Sequence, residues 1–226
     1  MSQLFYHASD IQKPEDVIPH LAKGQQDWKK GRSAYELAHS WVDADGIPAP
    51  VRDVLETSEE FRDAEILEGL FEKETDLGTP GRSSQSDLLV LCRCAAGLGM
   101  IAVEGKVDET FGPLIKEWRD GAPGKERRLA SLLKMLSIGT ADAAELRYQL
   151  LHRTAAALLE ARHYRAEAAM MLVHSFSPEA AGFDDFRRFA ALLGAPVEKP
   201  DSVSPPLALS GTRLTLGWTA DRTRAP

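Results

Sequence analysis

Two long apolar runs, each broken only near one end by a charged residue, dominate the middle of the chain. Leu88-Leu89-Val90-Leu91-Cys92 follows Asp87, and Met100-Ile101-Ala102-Val103 precedes Glu104-Gly105-Lys106-Val107. Short apolar runs bounded by turn residues predict strands buried on both faces. Ala95-Ala96-Gly97-Leu98-Gly99 between them predicts a hairpin turn. Ile66–Lys73 reads equally as a strand or a helix end, and the Gly-, Ser- and Pro-rich stretch Gly78–Gln85 predicts a loop.

On either side the period changes to that of helices. Residues 1–60 read as helical with breaks. Lys13-Pro14-Glu15-Asp16 marks a helix start, with proline early and acids in the first turn. Trp28, Tyr35, Leu37, Ala38 and Trp41 fall near helical spacing. Gly46–Pro50 breaks the chain, and Val51, Val54 and Leu55 suggest a short helix after it. Downstream, Lys125–Leu136 carries a leucine stripe, and Ala143–Ala161 is the clearest helix, with Leu146, Leu150, Ala157 and Leu158 on one face. Ala169–Phe176 predicts a strand, Phe183–Leu193 a helix closed by Gly194, and Leu207–Leu209 with Leu214–Thr219 a last hairpin, before a frayed tail over Ala220–Pro226. The expected fold is α/β (α+β): a mixed sheet flanked by helices on both faces. Residues 1–60 form a helical elaboration and 61–226 the main α/β domain, the whole reading as one compact unit.

Composition narrows this little. At 226 residues, 43% hydrophobic and 27% charged, the chain is long and apolar enough to bury a core without disulfides or metals. Cys92 and Cys94, one residue apart within a strand, are expected to stay unpaired and reduced, and two thiols alone do not complete a zinc site. Met1–Asp10 lacks the basic and apolar regions of a signal peptide, and no apolar run spans a bilayer, so a cytoplasmic protein without a membrane partner is expected. The net charge of −7 argues against a basic, nonspecific nucleic-acid coat.

The polar interruptions are where chemistry is expected. In a hairpin the start of one strand and the end of the next lie side by side. Glu104 and Lys106, two apart, leave the same face. Asp87, Glu104 and Lys106 therefore converge at one edge of an apolar sheet. Two carboxylates suit a hard cation, which activates water and offsets phosphate charge, and a lysine beside it stabilises that charge.

Gln85–Val90 followed by Ile101–Lys106 resembles motifs II and III of the PD-(D/E)XK superfamily, which includes restriction endonucleases, Holliday-junction resolvases and RecB-type repair nucleases. Ser86 stands where the motif has proline. The resemblance spans roughly residues 60–176 and implies a restriction-endonuclease-like core with Mg²⁺- (or Mn²⁺-) dependent cleavage of DNA phosphodiesters. By it, Asp87 and Glu104 are the metal-binding acids and Lys106 the catalytic lysine. An upstream acid is Glu65 or, preferably, Glu68, and Gln149 is the glutamine some members carry on the following helix. Many nucleases of this fold act as pairs, so a homodimer is an implied partner beside DNA. The longer segments are also similar to a family of bacterial proteins without an assigned function. The alternative is a nuclease fold without activity, serving as a binding or structural module.

Arg147, His152, Arg153, Arg162, His163 and Arg165 form a basic stretch that reads either as a phosphate-contacting face or, in preference, as a solvated helix face. Tyr148, Trp28, Trp41 and His174 are read as packed, and Glu56, Glu59 and Glu60 as a solvated helix end. No P-loop, GxGxxG, HExxH or GxSxG pattern occurs in a fitting context.

Overall fold

The computed structural model describes residues 5–7, 9–209 and 211–221. Its elements follow in chain order. Strands β1 (Phe5–His7) and β2 (Ser9–Asp10) lead to a 3-10 turn over Pro14–His20 and helices α1 (Ser33–Asp43) and α2 (Ala49–Leu55). The long strands β3 (Glu65–Thr75), β4 (Ser84–Cys94) and β5 (Gly97–Lys106) come next. Helices α3 (Ile115–Trp118), α4 (Pro123–Met135) and α5 (Tyr148–Tyr164) precede β6 (Ala168–Ser175). Helix α6 (Phe183–Leu193) and strands β7 (Ser202–Val203), β8 (Leu207–Leu209) and β9 (Thr212–Ala220) are the last described elements.

The strands form one mixed sheet in the order β2-β1-β3-β4-β5-β6-β9-β7, with β8 also on β9. β3, β4 and β5 are an antiparallel meander, whereas β5, β6 and β9 run parallel. All eight residues of β6 are buried, as a parallel strand covered on both faces requires. One face packs α1 and α2 through Trp41, Phe61, Phe71, Leu88, Val103 and their neighbours. The other packs α4, α5 and α6 through Leu89, Ala102, Leu129, Leu158, Phe189 and Trp218. The expected mixed sheet with helices on both faces is what the chain forms.

Several elements differ in detail. Ile66–Lys73 is strand, and Phe5–His7 and Ser9–Asp10, read as part of a helical segment, add β1 and β2 to the sheet edge. The β4–β5 turn is only Ala95-Ala96, with Cys94 opposite Gly97; Gly97 takes φ +109°, which favours glycine. Ser84 and Gln85 belong to β4 rather than to the loop. Helix α5 starts at Tyr148, not Ala143. The amides of Ile115 and Lys116 bond the carbonyls of Leu146 and Ala144, and the Tyr148 amide bonds Pro113 O. These tertiary bonds hold residues 144–146 out of the helix. The tail beyond Asp221 lies outside the described residues, and Ala220 closes β9. Glu60 is buried, whereas Glu56 and Glu59 are exposed as expected.

Cys92 and Cys94 are buried and free. They do share a face, because residues two apart on a strand point the same way. Both sulfurs crowd Gly99, where an added Cβ would stand 2.9 Å from Cys94 Sγ, 3.1 Å from Cys92 Sγ and 2.8 Å from the Phe61 ring. Gly99→Ala is therefore expected to destabilise the protein by about 1–3 kcal/mol, read as a lower midpoint in urea unfolding; an unchanged midpoint would show that the ring and thiols move aside freely.

Trp28 and Trp41 are buried, as expected. His174 is fully buried, and the Trp41 indole donates to its Nδ1 at 3.1 Å. No described helix is long and apolar enough to cross a membrane.

Candidate functional site

The sheet opens into a fork at Asp87. Pairing of β4 with β5 ends at Leu88 opposite Val103. Beyond it β4 stays with β3 as far as Ser84, while β5 stays with β6 as far as Lys106. The amide of Gly105, which would have continued the ladder, donates to Asp87 Oδ2 at 2.9 Å. A side chain thus closes the ladder and leaves room in the fork for polar groups.

Glu104 and Lys106 point into that room from β5, as the two-residue spacing requires. Lys106 Nζ donates to Glu104 Oε1 at 2.9 Å and to Gln149 Oε1 at 3.2 Å. It also lies 5.0 Å from the centroid of the Phe111 ring. The Gln149 amide donates to Glu104 Oε1 at 2.6 Å. Asp87, Glu104, Lys106 and Gln149 therefore meet at one place, drawn from β4, β5 and α5. Glu104 and Lys106 are both buried.

Glu68 is not brought there. It pairs with Leu91, four residues along β4 from Asp87, and its charge bears on Tyr164. Glu65, opposite Arg93, is further away still. The acid that does face the fork is Glu72. Phe71 and Lys73 pair with Leu88 and Ser86, which sets Glu72 across from Asp87, and its left-handed φ of +53° marks a local twist in β3. Nothing in the alternation of residues 65–75 announces that twist, and neither acid expected from the resemblance, Glu65 or the preferred Glu68, reaches the fork.

The sequence reading also misplaced Arg153. It is buried rather than solvated. Its Nε donates a short bond to Glu104 Oε2, its Nη1 donates to Ser84 Oγ at 3.2 Å, and its Nη2 stands 3.6 Å from Asp87 Oδ1. The spacing from Gln149, one turn of α5, was the available signal, since residues four apart share a helix face. His152 sits beside it, with Nδ1 2.8 Å from Ser84 Oγ.

The charges set one another. Burial and then the Glu104 carboxylate push Asp87 up to about 7. Burial and then Asp87 push Glu72 up to about 9. Burial works in the same direction on Glu104, but Arg153 and Lys106 outweigh it and hold that carboxyl down at about 2. Burial, aided by Arg153, keeps His152 neutral by lowering it to about 3. Between about pH 7 and 9, where Asp87 is ionised and Glu72 protonated, the Asp87 and Glu104 carboxylates are balanced by Lys106 and Arg153.

A family model described as a domain of unknown function (DUF6946) matches residues 10–223. The chain belongs to the DUF6946 family. No curated protein and no solved structure matches it.

In this DUF6946 member the fit to a divalent metal is divided. Two oxygen-donor carboxylates are the right chemistry for Mg²⁺ or Mn²⁺. Both Glu104 oxygens, however, already accept hydrogen bonds, and the Arg153 guanidinium bridges the two acids. Among the described residues no group of three His, Cys, Asp or Glu side chains is arranged to hold a metal. Asp87 and Glu104 can therefore serve as ligands only if Arg153 swings aside.

Proposed function

We propose that this protein is a divalent-metal-dependent nuclease acting on DNA phosphodiesters, with Asp87 and Glu104 as the metal-binding acids. The supporting observation is the convergence, at a fork in the sheet, of Asp87, Glu104, Lys106 and Gln149 from three separate elements. A bound Mg²⁺ or Mn²⁺ would supply an activated water and charge neutralisation. Lys106 is placed to neutralise a non-bridging phosphate oxygen or to orient the attacking water. Gln149 holds Lys106 and Glu104 in mutual register through bonds to both. The Gly105 amide fixes Asp87 Oδ2, so Oδ1, which faces Arg153 Nη2 at 3.6 Å, is the oxygen that would turn towards a ligand once Arg153 moves aside. A cytoplasmic location and pairing of two copies on duplex DNA belong to the same proposal.

One observation favours the second reading, a nuclease fold without activity. Arg153 already supplies the positive charge between the two acids. Calorimetric titration with Mn²⁺ separates the two. The native chain is expected to take up metal and Asp87→Ala to lose that uptake by at least about tenfold. No uptake by the native chain would sink the active-nuclease reading and leave the inactive one.

A further inference from the structure

A second concave site lies one layer away from the carboxylates. A cleft of about 580 Å³ opens between the β3–β4 connection at Pro80–Ser83, the start of α4 and the first turn of α5. That volume is within the range of small-molecule sites. Its floor is aromatic. The rings of Trp118 and Tyr148 stack with centroids 3.9 Å apart and planes 11° apart, and Tyr148 in turn meets His152 at 5.1 Å. Lys125 Nζ stands 5.1 Å from the Trp118 ring centroid.

The charge of this cleft is opposite to that of the chain. Its lining includes Arg82, Lys125 and Arg128 and no acidic residue, in a protein of net charge −7. Arg128 is the telling group. It is only 7% exposed, and its hydrogen bonds go to neutral acceptors: Tyr148 Oη at 2.6 Å, Thr79 Oγ1 at 3.2 Å and Pro80 O at 3.3 Å. Asp120 and Glu126 are spent on Lys125 and Arg119. A buried guanidinium without a carboxylate partner among the described residues carries a desolvation cost that an anionic ligand would offset. Gly81, at φ +108°, carries the loop over Arg128 Nη1, which is 3.4 Å from where a Cβ would stand.

The backbone adds to this field. The thirteen-residue helix α4 starts at the cleft, where Ala122, Gly124 and Lys125 line the wall. Its N-cap, Ala122, makes no side-chain cap, and Asp120 accepts from the Ala122 amide, which leaves the amides of Gly124 and Lys125 as the first-turn donors available to an anion.

We propose that this cleft binds a nucleotide unit, with the base stacked on the outer face of Trp118, from which Lys125 turns, leaving Asp120, to join Arg82, Arg128 and the α4 N-terminus on the phosphate. Stacking on an aromatic platform is tolerant of base identity, whereas the paired cations select for the phosphate. The inference does not require the carboxylate site to cut. His152, Ser84 and Arg153 link the cleft to Glu104, so a strand lying in the cleft would pass beside the fork.

Calorimetric titration of the full chain with dAMP, with an oligodeoxyadenylate about eight residues long, and with deoxyribose 5-phosphate tests this. Saturable binding of dAMP is expected, with deoxyribose 5-phosphate at least about fivefold weaker, as loss of a stacked base demands. An oligonucleotide tighter than dAMP identifies a nucleic-acid strand as the source of the nucleotide; equal affinities identify a free nucleotide. Trp118→Ala and the double variant Arg82→Ala/Lys125→Ala are each expected to weaken dAMP at least about fivefold. The double variant alters side chains at the cleft mouth, so its thermal midpoint should stay near native, whereas Trp118→Ala removes a packed ring and is titrated well below its own midpoint. Asp87→Asn should lose Mn²⁺ uptake and keep dAMP, which tells failure of this site from failure of the nuclease reading. No saturable binding of either nucleotide, native affinity in both variants, or equal binding of the sugar phosphate would overturn the proposal.

Discussion

Glu104→Ala is expected to lower the stability of the protein by about 3–5 kcal/mol, the range for removing one partner of a buried ion pair. Glu104 is 2% exposed and accepts from Lys106, Gln149 and Arg153 together. Its loss would leave two cations, 5% and 8% exposed, facing only the partly buried Asp87. The desolvation cost of those cations then has little to set against it. Asp184→Ala is the matching control. Its pair with Arg187 is largely solvent-exposed, and exposed pairs contribute between about 0 and 1 kcal/mol. Urea midpoints at one pH report both. A Glu104→Ala loss no larger than that of Asp184→Ala would mean that water enters the fork and that the buried network is not a structural unit.

The same network gives stability an unusual dependence on pH. Without metal, the protein is expected to become less stable as pH rises from about 5 to 9. Asp87 is raised from 3.8 to about 7 and Glu72 from 4.5 to about 9, chiefly by burial. Across that window the folded state binds more protons than the unfolded chain, so the stability gradient with pH is negative. Glu104 acts in the opposite sense. Its folded value of about 2 lies below its ordinary 4.5, so its contribution is present above pH 4.5 and is lost as pH falls towards 2. The site as a whole favours folding most near pH 4–5. Effects of a few kcal/mol are at stake, since one pKa unit corresponds to about 1.4 kcal/mol. Urea midpoints in EDTA at pH 5, 7 and 9 should fall in that order, and Glu72→Gln should flatten the upper half of the series. Midpoints that rise across the range, or a Glu72→Gln profile identical to native, would count against this electrostatic account.

The central hairpin was legible because its physics is local. Apolar runs of strand length joined by a small-residue turn fix β4 and β5, and period two fixes Glu104 and Lys106 on one face. Asp87 followed from the hairpin alone, and Gln149 from the family resemblance together with its place on the helix before β6. The helix α6 and its Gly194 closure were equally plain. Boundaries that depend on distant partners were not. The start of α5 is set by bonds to residues 113–116, and β1 and β2 exist only because the edge of β3 is there to receive β1.

Two residues at the fork mark the limit most clearly. The sequence by itself determined that Asp87, Glu104 and Lys106 converge, because strand alternation and a hairpin leave them no other arrangement. Only the tertiary structure decided that Glu72 rather than Glu68 faces Asp87, through the register of β3 on β4, and that Arg153 fills the space between the acids. Strand register and the docking angle of a helix are set by packing summed over the whole sheet, which no short window of residues contains.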